Sequence, residues 1–149
     1  MRAVVQRVSR ASVSVAGRVS GRIGPGLLVL LGVGKQDAER DAEYLVEKIV
    51  NLRIFRDAED KMNLSIRDID GGLLVVSQFT IYGSVARGRR PSFDRAADPE
   101  RARQLYEYFI NKAQSSGVRV EAGIFQANMQ VELVNDGPVT ILCDSEREL

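Results

Sequence analysis

No histidine occurs among the 149 residues, and this absence limits the available chemistry more than any motif does. A Ser-His-Asp triad and a histidine-ligated metal are both excluded. There is one cysteine, Cys143, so no internal disulfide forms, and it lies in an apolar, strand-like run. No apolar run approaches the roughly 20 residues that a bilayer-spanning helix needs. The chain opens on strand-like residues 2–8, not on a basic stretch followed by an apolar segment, so no signal peptide is read. Together these absences predict a cytoplasmic protein with no membrane association. The net charge is +1, so no overall basic field announces a nucleic acid. Aromatic residues make up 6% of the chain, and the arginine-rich stretch 85–95 lacks the aromatic interleaving of a platform that stacks single-stranded bases.

What is present is enough for one globular domain spanning residues 1–149. The hydrophobic fraction is 44% and the charged fraction 28%, the balance of a chain that buries a core. Seventeen arginines stand against four lysines. Arginine suits bidentate phosphate contacts, although genome composition or growth temperature produces the same bias.

The first third alternates like a β-meander. Residues 2–8, 11–16, 18–24 and 27–33 are short runs rich in Val, Ile and Leu. Ala16-Gly17-Arg18 and Gly24-Pro25-Gly26 separate them as turns. Asp37 is placed as an N-cap, followed by Ala38, Ala42, Leu45, Val46, Ile49 and Val50 at helical spacing. Residues 57–72 are polar and read as loop and turn. Residues 73–79 form a strand apolar on both faces up to Ser77, which predicts a central place in a sheet. Asp98-Pro99 opens a second helix, with Pro at the first helical position and Glu100 in the first turn. Ala102, Leu105, Tyr106, Phe109, Ile110 and Ala113 make its buried face, and Gly117 closes it. Strands are predicted at 118–123, 127–134 and 139–143. The fold class is α+β: a largely antiparallel sheet or open β-barrel with two packed helices.

Two polar segments sit at the ends of apolar runs. They are Ser77-Gln78-Phe79-Thr80 and Asn135-Asp136-Gly137-Pro138-Val139-Thr140. Strand ends next to loops are where a rigid scaffold commonly presents functional groups. Ser77, Thr80 and Thr140 carry hydroxyls, but no lysine or histidine lies near them in sequence to activate a nucleophile. A Ser or Thr in a strand is more often a structural hydrogen-bonding residue, and Asp136 before glycine suits turn chemistry. Arg87, Arg89 and Arg90 crowd one stretch with Gly88 and Pro91. This is either a solvated charged loop or a contact for a polyanion. Gly32-Val33-Gly34-Lys35 resembles part of a phosphate loop, but Val29 and Gln36 stand where a Walker A motif needs Gly and Ser or Thr. It reads as a strand-to-helix turn.

The two polar segments together resemble the signature motifs of the D-aminoacyl-tRNA deacylase (D-tyrosyl-tRNA deacylase) family. The likeness runs the length of the chain, through Val5-Gln6-Arg7-Val8, Ala11-Ser12-Val13 and residues 26–33. It continues through Arg53-Ile54-Phe55, Lys61-Met62-Asn63-Leu64 and Arg90-Pro91-Ser92-Phe93. Ile81 after Thr80, where leucine is usual, is a conservative departure.

The resemblance implies a homodimer with its active site at the subunit interface, and no metal or organic cofactor. The implied reaction is hydrolysis of the ester joining a D-amino acid to the terminal adenosine of tRNA. Glycyl-tRNA is an expected second substrate, and L-aminoacyl-tRNA is rejected. The implied catalytic residues are Ser77, Gln78, Phe79 and Thr80. Gly137, Pro138, Arg7 and Asn135 are implied to handle chirality, with Arg7 orienting the Gly137-Pro138 backbone. That peptide bond is expected to be cis. Arg87, Arg89 and Arg90 become candidates for tRNA contact. A non-catalytic RNA-binding module and a general esterase of free amino-acid esters are the rival classes.

Overall fold

The computed structural model describes residues 1–149. The chain runs β1 (Arg2–Val15), β2 (Arg18–Ile23), β3 (Gly26–Gly32), α1 (Glu39–Val50), β4 (Phe55–Arg56), β5 (Met62–Leu64) and β6 (Gly72–Ser77). A 3₁₀ turn at Phe79–Tyr82 follows, then α2 (Pro99–Ser115), β7 (Arg119–Ala122) and β8 (Gln130–Asp144). No helix is long and apolar enough to cross a membrane.

The main sheet has the order β2-β1-β3-β6-β7, with β8 on the other edge of β1. The first half of β1 pairs with β3, the second half with β2, and both halves pair with β8. The sheet rolls until β2 meets β7. There Ser20 Oγ donates to the Ala122 carbonyl at 3.4 Å, and Arg119 Nη2 to the Arg22 carbonyl at 3.1 Å. The result is a nearly closed, barrel-like sheet with two helices packed on one face.

Both faces of the central strands are buried. Leu27, Val29, Leu31, Leu73 and Val75 face α1 and α2, while Leu28, Leu74 and Val76 join Val8, Ala11, Val13 and Ile23 in a second cluster. Period-2 side chains buried on both sides give the continuous apolar runs seen in the sequence. At the start of β3 and β6 the backbones touch: a Cβ on Gly26 would lie 1.9 Å from the Gly72 carbonyl oxygen, so only glycine fits.

Several expectations are corrected. The sheet is mixed, because β3–β6 and β6–β7 pair in parallel. Each of these pairs is connected through a helix, which is what a parallel crossover requires. Residues 2–8 and 11–16 are one strand, as are 130–134 and 139–143. Residues 57–72 are not all loop, since β5 pairs with β4 as a small hairpin. Asp57 closes its tip by accepting from the Glu59 and Lys61 amides at 2.8 and 3.0 Å.

Asp37 is not the cap of α1. The N-cap is Ala38, whose amide donates to the Asp41 carboxylate at 2.8 Å. Asp37 is instead buried, accepting from the Met1 ammonium at 2.5 Å and from the Gly34 amide at 2.6 Å. α2 follows expectation: the Asp98 carboxylate accepts from the Arg101 amide at 3.1 Å, with Pro99 at the first position. Such a cap contributes about 1 kcal/mol. Gly117, just past the helix, has φ +87°, a left-handed conformation suited to glycine.

Candidate active site

The strands β3 and β6 run parallel with Leu31 opposite Ser77, so their carboxyl ends open on the same side. This is the end of an α/β unit where ligands bind, because the chain must leave the sheet there and loops become available. After Ser77 the Gln78 amide still donates to the Leu31 carbonyl at 2.8 Å, and then the backbone turns into the 3₁₀ segment. The turn closes with the Gly83 amide donating to the Thr80 carbonyl at 2.9 Å. Tyr82 is buried beneath the turn, which leaves Phe79 exposed at 55%. A large aromatic left this open at the end of a buried strand offers a ring face for contact.

Beside Phe79 lies a cleft of about 670 Å³, lined on one side by Ser77, Gln78, Phe79 and Thr80. The opposite walls come from three places. Val33 and Lys35 follow β3, Ala96 to Asp98 lead into α2 and Pro99 and Ala102 lie in its first turn, and Phe125, Gln126, Ala127 and Met129 come from the loop before β8. The first two walls are tied together, with the Ala97 amide donating to the Val33 carbonyl at 2.9 Å and the Lys35 amide to the Arg95 carbonyl at 3.0 Å. Phe93 packs its ring edge-on against Phe79 at 4.9 Å. Phe125 is backed by Tyr106 at 5.8 Å, with the Arg103 guanidinium 5.1 Å from its ring. Tyr106 in turn donates to the Val75 carbonyl at 3.0 Å. Burial, with Glu107 nearby, pushes its hydroxyl up to about 12, so it is a fixed structural donor.

The lining is poor in titratable groups: Lys35 and Asp98 are the only two, and the Asp98 carboxylate is taken up in capping α2. Thr80 Oγ1 accepts from Gln78 Nε2 at 3.1 Å, and an amide cannot serve as a base. No hydroxyl here has an activating partner. No histidine or cysteine lines the cleft to hold a metal. The chain's acidic trio, Asp144, Glu146 and Glu148, stands elsewhere and is met by Arg2 and Arg95.

The second motif has its own geometry. Opposite Arg7 of β1, β8 carries residues 136–139, because Gln6 pairs with Thr140 and Val8 with Asn135. A bulge of this size breaks the ladder, and side chains replace the lost backbone partners. Asn135 Oδ1 accepts from the Val139 amide at 2.7 Å, and its Nδ2 donates to the Val139 carbonyl at 3.2 Å. Arg7 is only 2% exposed; its Nε donates to the Asp136 carbonyl at 2.8 Å and its Nη1 to the Ile54 carbonyl at 2.6 Å. The Gly137–Pro138 bond is cis, and both residues are exposed on the loop.

Residues 4–144 match the family described as D-Tyr-tRNA(Tyr) deacylase. The chain belongs to this family. It is 66% identical to the D-aminoacyl-tRNA deacylase of Koribacter versatilis, over 99% of each chain. It is 60% identical to that of Symbiobacterium thermophilum, over 99% of this chain and 97% of the relative. Among solved structures, the c-Myc DNA Unwinding Element Binding Protein superposes with a TM-score of 0.91 at 42% identity, covering 97% of this chain and 98% of that one. A probable eukaryotic D-amino acid tRNA deacylase superposes with a TM-score of 0.84 at 18% identity, covering 96% and 98%, which shows a shared fold.

Within this deacylase-family chain the first motif is assembled in the cleft, whereas Gly137 and Pro138 do not line it. The second motif approaches the first only through a neighbouring hollow of about 370 Å³ that includes Gln6, Ser77 and Gln78. There Gln6 Nε2 donates to Thr140 Oγ1 at 3.3 Å. Asn135 is spent on holding its own loop. Arg87, Arg89 and Arg90 are exposed on a loop whose base is closed by paired hydrogen bonds between Ser84 and Ser92, next to Phe93. Sequence reasoning missed Lys35, Phe125, Gln126 and Met129 as lining. They lie in two connecting segments with no local pattern, and only the approach of those segments joins them.

Proposed function

We propose that this chain is an editing hydrolase that cleaves the ester between a D-amino acid and the terminal adenosine of tRNA, releasing both. It acts as a single domain, residues 1–149. The observation that carries the reading is the cleft at the end of β6 in a deacylase-family chain. At about 670 Å³ it has the size of a small-molecule site, and it offers an exposed aromatic, amides and hydroxyls but no free base.

That lining fits a reaction in which the substrate is already activated. An aminoacyl ester needs positioning and a place for the developing negative charge. Phe79 packs against the nucleoside, and Gln78 and Ser77 orient the aminoacyl group. The amides of Phe79 and Thr80 begin a 3₁₀ turn, where the first N–H groups have no partner within the turn. They receive the carbonyl oxygen as it becomes an oxyanion; one such donor lowers the barrier by about 3 kcal/mol. Water attacks, assisted by the ribose hydroxyl beside the ester, and no metal takes part.

Selection between isomers falls to Gly137 and Pro138. They stand on a loop outside their own chain's cleft, so they reach a partner's cleft in a homodimer. β8 supports this: its outer edge has no strand partner, and Val131, Val134 and Leu142 on it are exposed. Seated at the cleft, the Gly137-Pro138 backbone occupies the space of an L side chain and leaves a D side chain free. Glycine has no side chain to reject, so glycyl-tRNA is also cleaved. Arg87, Arg89 and Arg90, unpaired and next to Phe93, meet the tRNA backbone.

The deciding experiment compares hydrolysis of D-tyrosyl-, L-tyrosyl- and glycyl-tRNA. Rapid loss of the first and third, with the second intact, is expected. Equal rates on D and L esters, or on free amino-acid esters lacking tRNA, point to a general esterase instead.

A further inference from the structure

The cleft contains one cationic side chain, and the proposed reaction does not use it. Lys35 lines it and forms no ion pair, although arginines close by are committed. Arg95 is held by Glu146 at 3.2 Å and Glu148 at 3.3 Å. Arg103 reaches Gln126 Oε1 at 3.5 Å from behind Phe125.

The position of Lys35 is fixed although its side chain is free. Its amide is bound to the Arg95 carbonyl. The turn that carries it is closed by the Gly34 amide on the Asp37 carboxylate and by the Asp37 amide on the Gly34 carbonyl. Asp37 is itself anchored by the buried Met1 ammonium. A rigid turn therefore presents one exposed ammonium at the carboxyl end of β3, as the neighbouring parallel strand presents Phe79 and Thr80.

We propose that Lys35 is the phosphate-binding residue of this cleft. Its ligand is the 5′-phosphate of the terminal adenosine, the group that links this nucleoside to the rest of the strand. The inference rests on the nucleotide-ester reading above. The ligand brings one phosphate next to the nucleoside, and the lining offers one uncommitted cation. A lysine ammonium is a compact point charge on a flexible stem that binds phosphate oxygens without a fixed fork. The assignment also orients the substrate: the ester lies at Ser77 to Thr80, and the strand leaves past the turn that carries Lys35. It does not leave over the loop of Arg87, Arg89 and Arg90, which then meets more distant phosphates.

The test has a binding arm and a turnover arm. In the first, adenosine and adenosine 5′-monophosphate are titrated into the native protein, Lys35→Ala and Lys35→Arg. The monophosphate is expected to bind the native protein about tenfold more tightly than adenosine, the scale of one charge-assisted hydrogen bond. Lys35→Ala removes that preference and Lys35→Arg restores most of it. In the second arm, D-tyrosyl-adenosine, its 5′-monophosphate and D-tyrosyl-tRNA are hydrolysed. Lys35→Ala is expected to raise KM about tenfold for the two phosphorylated esters, with kcat within twofold and no change for the nucleoside ester. Equal binding of adenosine and its monophosphate to native protein, or an equal effect of Lys35→Ala on all three esters, overturns the assignment. Native protein that prefers the monophosphate through Lys35 but hydrolyses none of the esters overturns the functional reading and leaves the phosphate site standing.

Discussion

Arg7 and Asp136 are joined across the break in the β1–β8 ladder: the buried guanidinium donates from Nε to the Asp136 carbonyl at 2.8 Å. The same group holds the Ile54 carbonyl, so one side chain locks the Gly137-Pro138 loop to the segment leading into β4. A planar fork can satisfy two carbonyls at once; an ammonium on a flexible stem cannot hold both in the same geometry. Arg7→Lys is expected to fold with stability reduced by about 1–3 kcal/mol, the cost of leaving a buried acceptor unpaired. Its rate ratio for D- over L-tyrosyl-tRNA should fall at least tenfold. Urea unfolding and the paired rates check this; unchanged discrimination would show that Arg7 only supports the fold.

Gly137 offers a more local probe of the same loop. Its φ is +144°, and a Cβ there would lie 2.9 Å from both Arg7 Nη2 and Val139 Cγ2. Gly137→Ala therefore meets backbone strain and contact with the anchoring arginine together. A loss of about 1–3 kcal/mol in stability is expected, with a lower rate ratio for D- over L-tyrosyl-tRNA. Native-like melting with unchanged discrimination would mean that the loop yields freely.

The buried pair of Met1 ammonium and Asp37 tests the scaffold. Replacing one partner strands the other charge away from water. Asp37→Ala is expected to cost about 3–5 kcal/mol, read as a lower urea midpoint with an unchanged slope. A midpoint within experimental error of the native protein would contradict the burial of that charge.

Thr80→Ala separates water attack from an enzyme nucleophile. Thr80 Oγ1 meets only the Gln78 amide, so its removal should leave hydrolysis within about tenfold of native. Chelator should have no effect. A trapped acyl group on Thr80, or activity that disappears with chelator and returns with zinc, would sink the proposed chemistry.

Phe79 lies in the cleft and Pro138 outside it, which makes complementation possible. Phe79→Ala should be inactive alone, and Pro138→Ala should cleave D- and L-tyrosyl-tRNA alike. Mixed and allowed to exchange, they should recover part of the native preference for D over L, because the one site of a hybrid dimer that keeps Phe79 faces an intact Pro138. No recovery in demonstrated hybrids, or full activity from a demonstrated monomer, would place both motifs in one subunit.

The helices, their buried faces, the Asp98 cap and the double-sided burial of β6 were legible in the sequence. Each is written locally, in a 3.6-residue period, a cap side chain or an unbroken apolar run. The pairing of strands was not. Asn135-Asp136-Gly137-Pro138 has the composition of a turn, and by itself it divides residues 127–143 into two strands. Only in the folded chain do the Asn135 amide and the Arg7 guanidinium replace the missing ladder bonds and let β8 continue past it. Asp37 likewise has the chemistry of a helix cap, and only the arrival of Met1 turns it into a buried ion pair. The two motifs were visible as polar ends of apolar runs. The cleft was decided by tertiary structure, because Lys35, Ala97, Phe125 and Met129 lie on three loops whose approach no local period encodes.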